Sequence, residues 1–190
     1  YVLPVWSFQL LAGALIAMTL SPNSTMAAVL NALAMLAGAA VGMFNGVVIA
    51  RLGINALITT LATMQIVRGF SLIVSDGRAV GIKDPAFYNI ALSNTLGIPT
   101  PIIVLALAFA IFGVILNRTV FGRNTLAIGG NPDAARLAGV KVDWTRIAIF
   151  TLQGVMCAVA GVLLASRITS GQPNAALGLE LSVISACVLG

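Results

Sequence analysis

The sequence predicts an all-α fold, a polytopic transmembrane helical bundle. Three observations carry that expectation. The chain has 190 residues, 59% hydrophobic and 8% charged, whereas soluble domains are roughly a quarter charged. The apolar residues gather in runs that reach or approach the roughly 20 residues needed to cross a bilayer. Almost all charges and turn formers fall between those runs. So few charges cannot coat a soluble globule, which excludes a soluble enzyme, a nucleic-acid-binding domain and a disordered segment. The net charge of +5 comes without a basic cluster interleaved with aromatics, so it does not point to nucleic acid.

The first span covers residues 2–20, interrupted by Pro4, Ser7 and Gln9. Residues 21–25 form a turn-rich break. The second span, 26–50, contains no charge, and Arg51 to Gly53 is a short hinge. The third, 54–75, holds one charge, Arg68. The fourth covers 101–116 and the fifth 147–166. A further apolar segment starts at 179 and stops at Gly190 after about half the length of a span. The chain also opens at Tyr1 rather than Met, so it reads as an internal piece of a longer protein. The runs are apolar all round, so periodicity does not define them. Their length does, together with the need to pair every backbone group internally in lipid.

The loops give an orientation. Arg51, Arg118, Arg123, Arg136, Lys141 and Arg146 stand on one side, against Arg78, Lys83 and Arg167 on the other. The positive-inside rule places the richer side in the cytoplasm. Loop 117–145 is then cytoplasmic, and loops 21–25 and 76–100 lie outside. In the outer loop, Asp76-Gly77 is a turn signal, and Asp84-Pro85 opens a short helix through Phe87 and Tyr88.

Several residues stand out within this frame. Ala34, Gly38, Gly42 and Gly46 are spaced four apart, forming a ridge without bulk that admits a neighbouring backbone, in this chain or another. Arg68 reads either as a translocation-path residue or as an arginine snorkelling to the outer surface. Asn31, Asn45, Gln65 and Gln153 are mid-span amides suited to helix–helix hydrogen bonds. Cys157 and Cys187 read as small buried hydrophobes. The chain has no His, the commonest metal ligand and general base, and no metal site is expected. In the inner loop, Asn131 is a good N-cap and Pro132 suits the first helical position. Asp133 and Arg136 complement the helix dipole, and Gly139 can take the left-handed conformation that ends the helix. The product is a short capped helix bearing Ala134, Ala135 and Ala138. It reads equally as a connector or as a rigid knob for a cleft on another protein.

Asp133-Ala-Ala-x-x-x-Gly139 resembles the Glu-Ala-Ala-x-x-x-Gly cytoplasmic loop of ABC-importer permeases, with Asp in place of Glu. Residues 121–139, 166–173 and 178–190 are similar to the ribose/xylose/arabinose branch of that family, as is the string from Ile54 to Gly69, and the likeness covers residues 12–190. Two departures stand in the sequence. Arg146-Ile147-Ala148 lacks the family's Ile-x-Leu-Pro ending, and Gln9 stands where relatives carry an acid in an Asp-Leu-Ser-Val-Gly motif. The resemblance implies the membrane subunit of an ATP-driven monosaccharide importer, with a pentose such as L-arabinose as cargo. It also implies a second permease subunit, a homodimer being the simplest case, a cytoplasmic ABC ATPase binding ATP and Mg, and a periplasmic sugar-binding protein. In this reading Asn131 to Arg136, with Gly139, is the ATPase-coupling helix. Arg68, Gln65, Asn45 and Glu180 are candidates for the path, with helix capping the alternative for Glu180.

Other classes fit less well. An ion-coupled secondary transporter for a small polar solute wants ionisable groups within the membrane, and Arg68 and Glu180 are the sole candidates. An intramembrane enzyme lacks paired carboxylates or an activated nucleophile. No P-loop pattern is present, so this chain is not expected to bind ATP or to be an enzyme.

Overall fold

The computed structural model describes residues 24–81, 94–95, 98–175 and 177–189. The first span (2–20), most of the break before the second, and the short helix expected at 85–88 lie outside the described residues. Within them the chain is helical. The elements are α1 (Ser24–Leu52), α2 (Ala56–Val74), α3 (Thr100–Arg118), α4 (Val120–Gly130), α5 (Pro132–Leu137), α6 (Val142–Ile168) and α7 (Leu179–Leu189). Four of these, α1, α2, α3 and α6, are long and apolar enough to cross a membrane. The membrane bundle expected from composition is therefore present.

Each boundary has a local cause. Leu52 ends α1, and Gly53 follows at φ 67°, a conformation that costs glycine little. Asn55 then caps α2, its Oδ1 accepting from the Leu57 amide at 2.9 Å. After α2 the chain turns through Asp76 and Gly77, both at positive φ, where the sequence placed a turn. Pro101 sits in the first turn of α3, where its missing amide is no loss.

Two boundaries and the content of one loop differ from expectation. Ser24 and Thr25 are already helical, so α1 starts inside the expected break. The fifth span begins at Val142 rather than 147. Its first turn absorbs Asp143 at the positive end of the dipole, and Thr145 donates from its hydroxyl back to the Lys141 carbonyl. The stretch 117–145 is thus mostly helix, with α4 preceding the expected short helix.

Helices α1 and α6 run antiparallel and form the main packed pair. Gly46 sits over Ile147 and Phe150, Gly42 over Phe150 and Gly154, and Gly38 over Gly154 and Ala158. Ala34, Asn45 and Ile49 complete the buried stripe of α1. In lipid no hydrophobic force drives helices together, so close backbone approach and dispersion do that work. Helix α2 meets α1 more sparingly. Helix α3 has no buried residue among those described; it touches β3 (Ile98–Pro99) at one end and α4 at the other. Beyond α2 and α6, β1 (Val80–Gly81) pairs antiparallel with β4 (Ser170–Gly171). Both loops therefore lie on the same side of the bundle, opposite α5. A second two-residue pair, β2 (Asn94–Thr95) with β3, leads into α3.

Candidate functional site

The best-defined local structure is the capped helix α5 with its supports. Asn131 Oδ1 accepts from the amides of Asp133 at 3.0 Å and Ala134 at 3.1 Å. Pro132, at the first helical position, has no amide to satisfy. The far end closes through two backbone bonds: Gly139 N–H to the Arg136 carbonyl and Val140 N–H to the Ala135 carbonyl, each 3.0 Å. Gly139 lies at φ 84°. This bond pair is the Schellman ending, which needs the left-handed residue that glycine supplies most easily. Both ends of a six-residue helix are fixed by side chain and backbone, which compensates for a length at which isolated helices do not persist.

The helix is also held from below. Ile128 of α4, Ala135 of α5 and Val142 of α6 form a buried cluster, with Val140 packed against it. Arg136 pairs with Asp143 at 3.2 Å, and both side chains are about half exposed or more, so this pair adds well under 1 kcal/mol by the usual standard for surface ion pairs. The apolar cluster carries the attachment. Helix α4 is placed by a tight elbow at Thr119. The Thr119 hydroxyl donates to the Ile115 carbonyl and accepts from the Gly122 amide at 3.1 Å. Gly122 lies against the Ile115 and Leu116 carbonyls, where a Cβ would collide with backbone.

The outer face of α5 is open. Leu137 is 91% exposed, and Ala134, Ala138 and Asp133 are exposed beside it. Trp144, one turn into α6, is also largely exposed. The surface is a small, braced knob of apolar side chains with one carboxylate, Asp133, and the exposed guanidinium of Arg136.

The other singled-out residues fall apart from this knob. Gly38, Gly42 and Gly46 line the seam with α6, so the neighbour that their spacing called for lies within this chain. Asn45 is buried between α1 and α2, its Oδ1 accepting from Thr63 Oγ1 at 2.7 Å. Gln65 is exposed on α2, and Arg68 lies one turn further on, partly buried. The buried Arg68 Nη2 and Ser71 Oγ have no hydrogen-bond partner among the described residues. Asn31 Oδ1 is likewise unpartnered. Glu180 is the second residue of α7, preceded by Gly178 at φ 87°. Cys157 is buried in α6.

Sequence reasoning missed α4, Thr119, the support cluster and Thr63 as the partner of Asn45. Signals were present. Phe121, Thr125 and Ile128 follow helical spacing, and Gly154 and Ala158 mirror the small-residue ridge of α1.

An apolar helical bundle with four helices long enough to span a bilayer defines the class as a membrane protein. Residues 6–190 match the family described as branched-chain amino acid transport system/permease component, and the chain belongs to that family of multi-pass membrane permeases. Among curated relatives, it is 62% identical over 146 residues to the L-arabinose transport system permease protein AraH of Escherichia coli (strain K12), covering 77% of this chain and 44% of that one. It is 52% identical over 155 residues to the L-arabinose ABC transporter permease protein AraH of Azospirillum brasilense, covering 82% and 46%. To the ribose import permease protein RbsC of Bacillus subtilis (strain 168) the identity is 43% over 148 residues, covering 77% and 46%. The chain spans less than half the length of these relatives. No solved structure matches.

Proposed function

We propose that this chain is part of the membrane-spanning subunit of an ATP-driven importer that carries a monosaccharide, L-arabinose first, across the bacterial inner membrane by alternating access. The observation that carries this reading is the braced, outward-facing knob at Asn131–Gly139 in a permease-family chain. A connector needs neither two capped ends nor a buried cluster beneath it. A part that must transmit a push needs both. In this reading a cytoplasmic ABC ATPase, holding ATP and Mg, receives Leu137 and its small neighbours in a groove, and Asp133 offers that groove one negative charge.

The sugar assignment rests on the relatives named for arabinose and ribose and on the length of those matches. The permease subunit does no bond chemistry; hydrolysis belongs to the ATPase. A second permease copy completes the path, and a periplasmic binding protein delivers the sugar at the side bearing β1 and β4. Gln65 and Arg68 share one face of α2, and with Glu180 they are the side chains we assign to the path. The permease need hold its cargo only weakly, since a tight site would slow release. Asn45 is assigned to helix pairing through Thr63.

The test is co-purification of the full-length tagged protein, gently solubilised from its native membrane, with uptake of labelled sugars measured in parallel. Recovery of an ATPase, its loss with Asp133→Lys combined with Gly139→Val, and ATP-dependent arabinose uptake are the expected results. A homo-oligomer free of ATPase, with uptake driven by a proton or sodium gradient, would overturn the reading in favour of a secondary transporter.

A further inference from the structure

We infer that the knob, α6 and α1 move as one rigid body during transport, with Val142 and Gly154 as its positioning residues. The inference rests on the coupling role proposed for α5, and two independent observations carry it. The first is at the knob. Val142, the first residue of α6, is 2% exposed and shares a cluster with Ala135 of α5 and Ile128 of α4. A displacement of α5 therefore reaches α6 without passing through a loose linker. The second is at the seam. Gly38, Gly42 and Gly154 meet backbone to backbone, and a Cβ on Gly38 would stand 2.6 Å from the Gly154 carbonyl oxygen and 2.8 Å from the Ala158 Cβ. Gly46 repeats the contact one turn further, where a Cβ would stand 2.8 Å from the Ile147 Cα. Surfaces packed this closely resist sliding, because a displacement along the seam drives backbone into backbone.

The joint between α1 and α2 is of another kind. Gly53 lies at φ 67° with nothing within 4 Å of where a Cβ would be, and among the described residues the side-chain bond across that pair is Thr63 to Asn45. Such a joint can bend, since hinges are short segments that absorb φ/ψ change. The lever then comprises α5, α6 and α1, and α2 is what it moves against.

The experiment uses the assembled full-length transporter with its ATPase, in a background with Cys157→Ser and Cys187→Ser. Spin labels are placed at exposed positions, Phe44→Cys on α1 with Ala148→Cys on α6, and Ile66→Cys on α2 with Ala148→Cys. Distances are measured nucleotide-free, with ATP bound and after vanadate trapping. The α1–α6 distance is expected to stay fixed while the α2–α6 distance shifts. A shift in the α1–α6 pair, or no shift in either pair, overturns the lever. A second arm uses Gly154→Ala. The ATPase should still co-purify and hydrolyse ATP, while sugar moved per ATP falls at least tenfold; an unchanged ratio in the assembled variant overturns the proposal. Failure of the unmodified protein to bind any ATPase would instead overturn the coupling role of α5, and the two failures are thereby distinguished.

Discussion

At the residue scale, Gly139 concentrates the demands on the knob. Its φ of 84° is close to free for glycine and costs an ordinary residue about 1–2 kcal/mol, more for a β-branched one. Gly139→Val should therefore open the Schellman ending and release Val140 from the cluster beneath α5. No Cβ collision contributes, since nothing lies within 4 Å of that position, so the variant should insert in the membrane normally while sugar uptake falls at least tenfold and ATP hydrolysis loses its dependence on sugar. Sugar-stimulated hydrolysis and uptake at normal rates would remove the coupling assignment. Asn131→Ala tests the opposite end. It deletes the acceptor for the Asp133 and Ala134 amides, at about 1 kcal/mol. The knob would fray rather than vanish, so a several-fold loss of uptake is expected, smaller than for Gly139→Val. An equal or larger loss would mean that Asn131 does more than cap.

At the element scale, the helices depend on different forces, and a change in each should be read differently. Among the described residues, the α1–α2 pair carries one buried side-chain bond, Thr63 to Asn45. Thr63→Val keeps the shape and leaves Asn45 Oδ1 without that donor, at about 1 kcal/mol within a bilayer. Thermal unfolding in detergent should shift down by a few degrees for Thr63→Val, and the double variant Asn45→Leu with Thr63→Val should lose less than the sum of the two single changes. Strict additivity would mean the bond contributes nothing. The same contrast shows what the sequence could reveal. The four described spans were legible because length and apolarity are properties of single segments, and the short capped helix was legible because Asn131, Pro132, Asp133 and Gly139 each act on the backbone within four residues. Helix α4 was not, because Gly122, Gly129 and Gly130 dilute its propensity, and its placement depends on Ile128 meeting Val142 across a later helix. The start of α6 at Val142 was hidden by Asp143 and Arg146, whose charges read as loop until the Arg136–Asp143 pair is seen. The partner of Asn45 lies eighteen residues away, beyond the reach of spacing along one helix.

At the scale of the whole molecule, orientation decides whether the knob can meet an ATPase at all. The pairing of β1 with β4 puts the loops after α2 and α6 on one side, and the antiparallel seam of α1 and α6 puts the knob on the other. Helix α6, at 27 residues, is about 40 Å long, against a hydrocarbon core of about 30 Å. It therefore overhangs by several residues, which suits Asp143 and Arg146 at one end and Arg167 at the other. The cytoplasmic placement proposed for α5 rests on the excess of arginine and lysine beside it, since cationic loops are retained on that side. Single cysteines test it in a background with Cys157→Ser and Cys187→Ser. In intact cells, Arg78→Cys, next to the Asp76-Gly77 turn, should react fully with a membrane-impermeant maleimide, whereas Leu137→Cys on the 91% exposed tip of α5 should react only after the membrane is opened. The reverse pattern would turn the knob away from any cytoplasmic ATPase and end the importer reading whatever its sequence likeness. Added ATPase should protect Leu137→Cys in opened vesicles and leave Arg78→Cys untouched, because a docked groove covers the knob and reaches nothing on the far face.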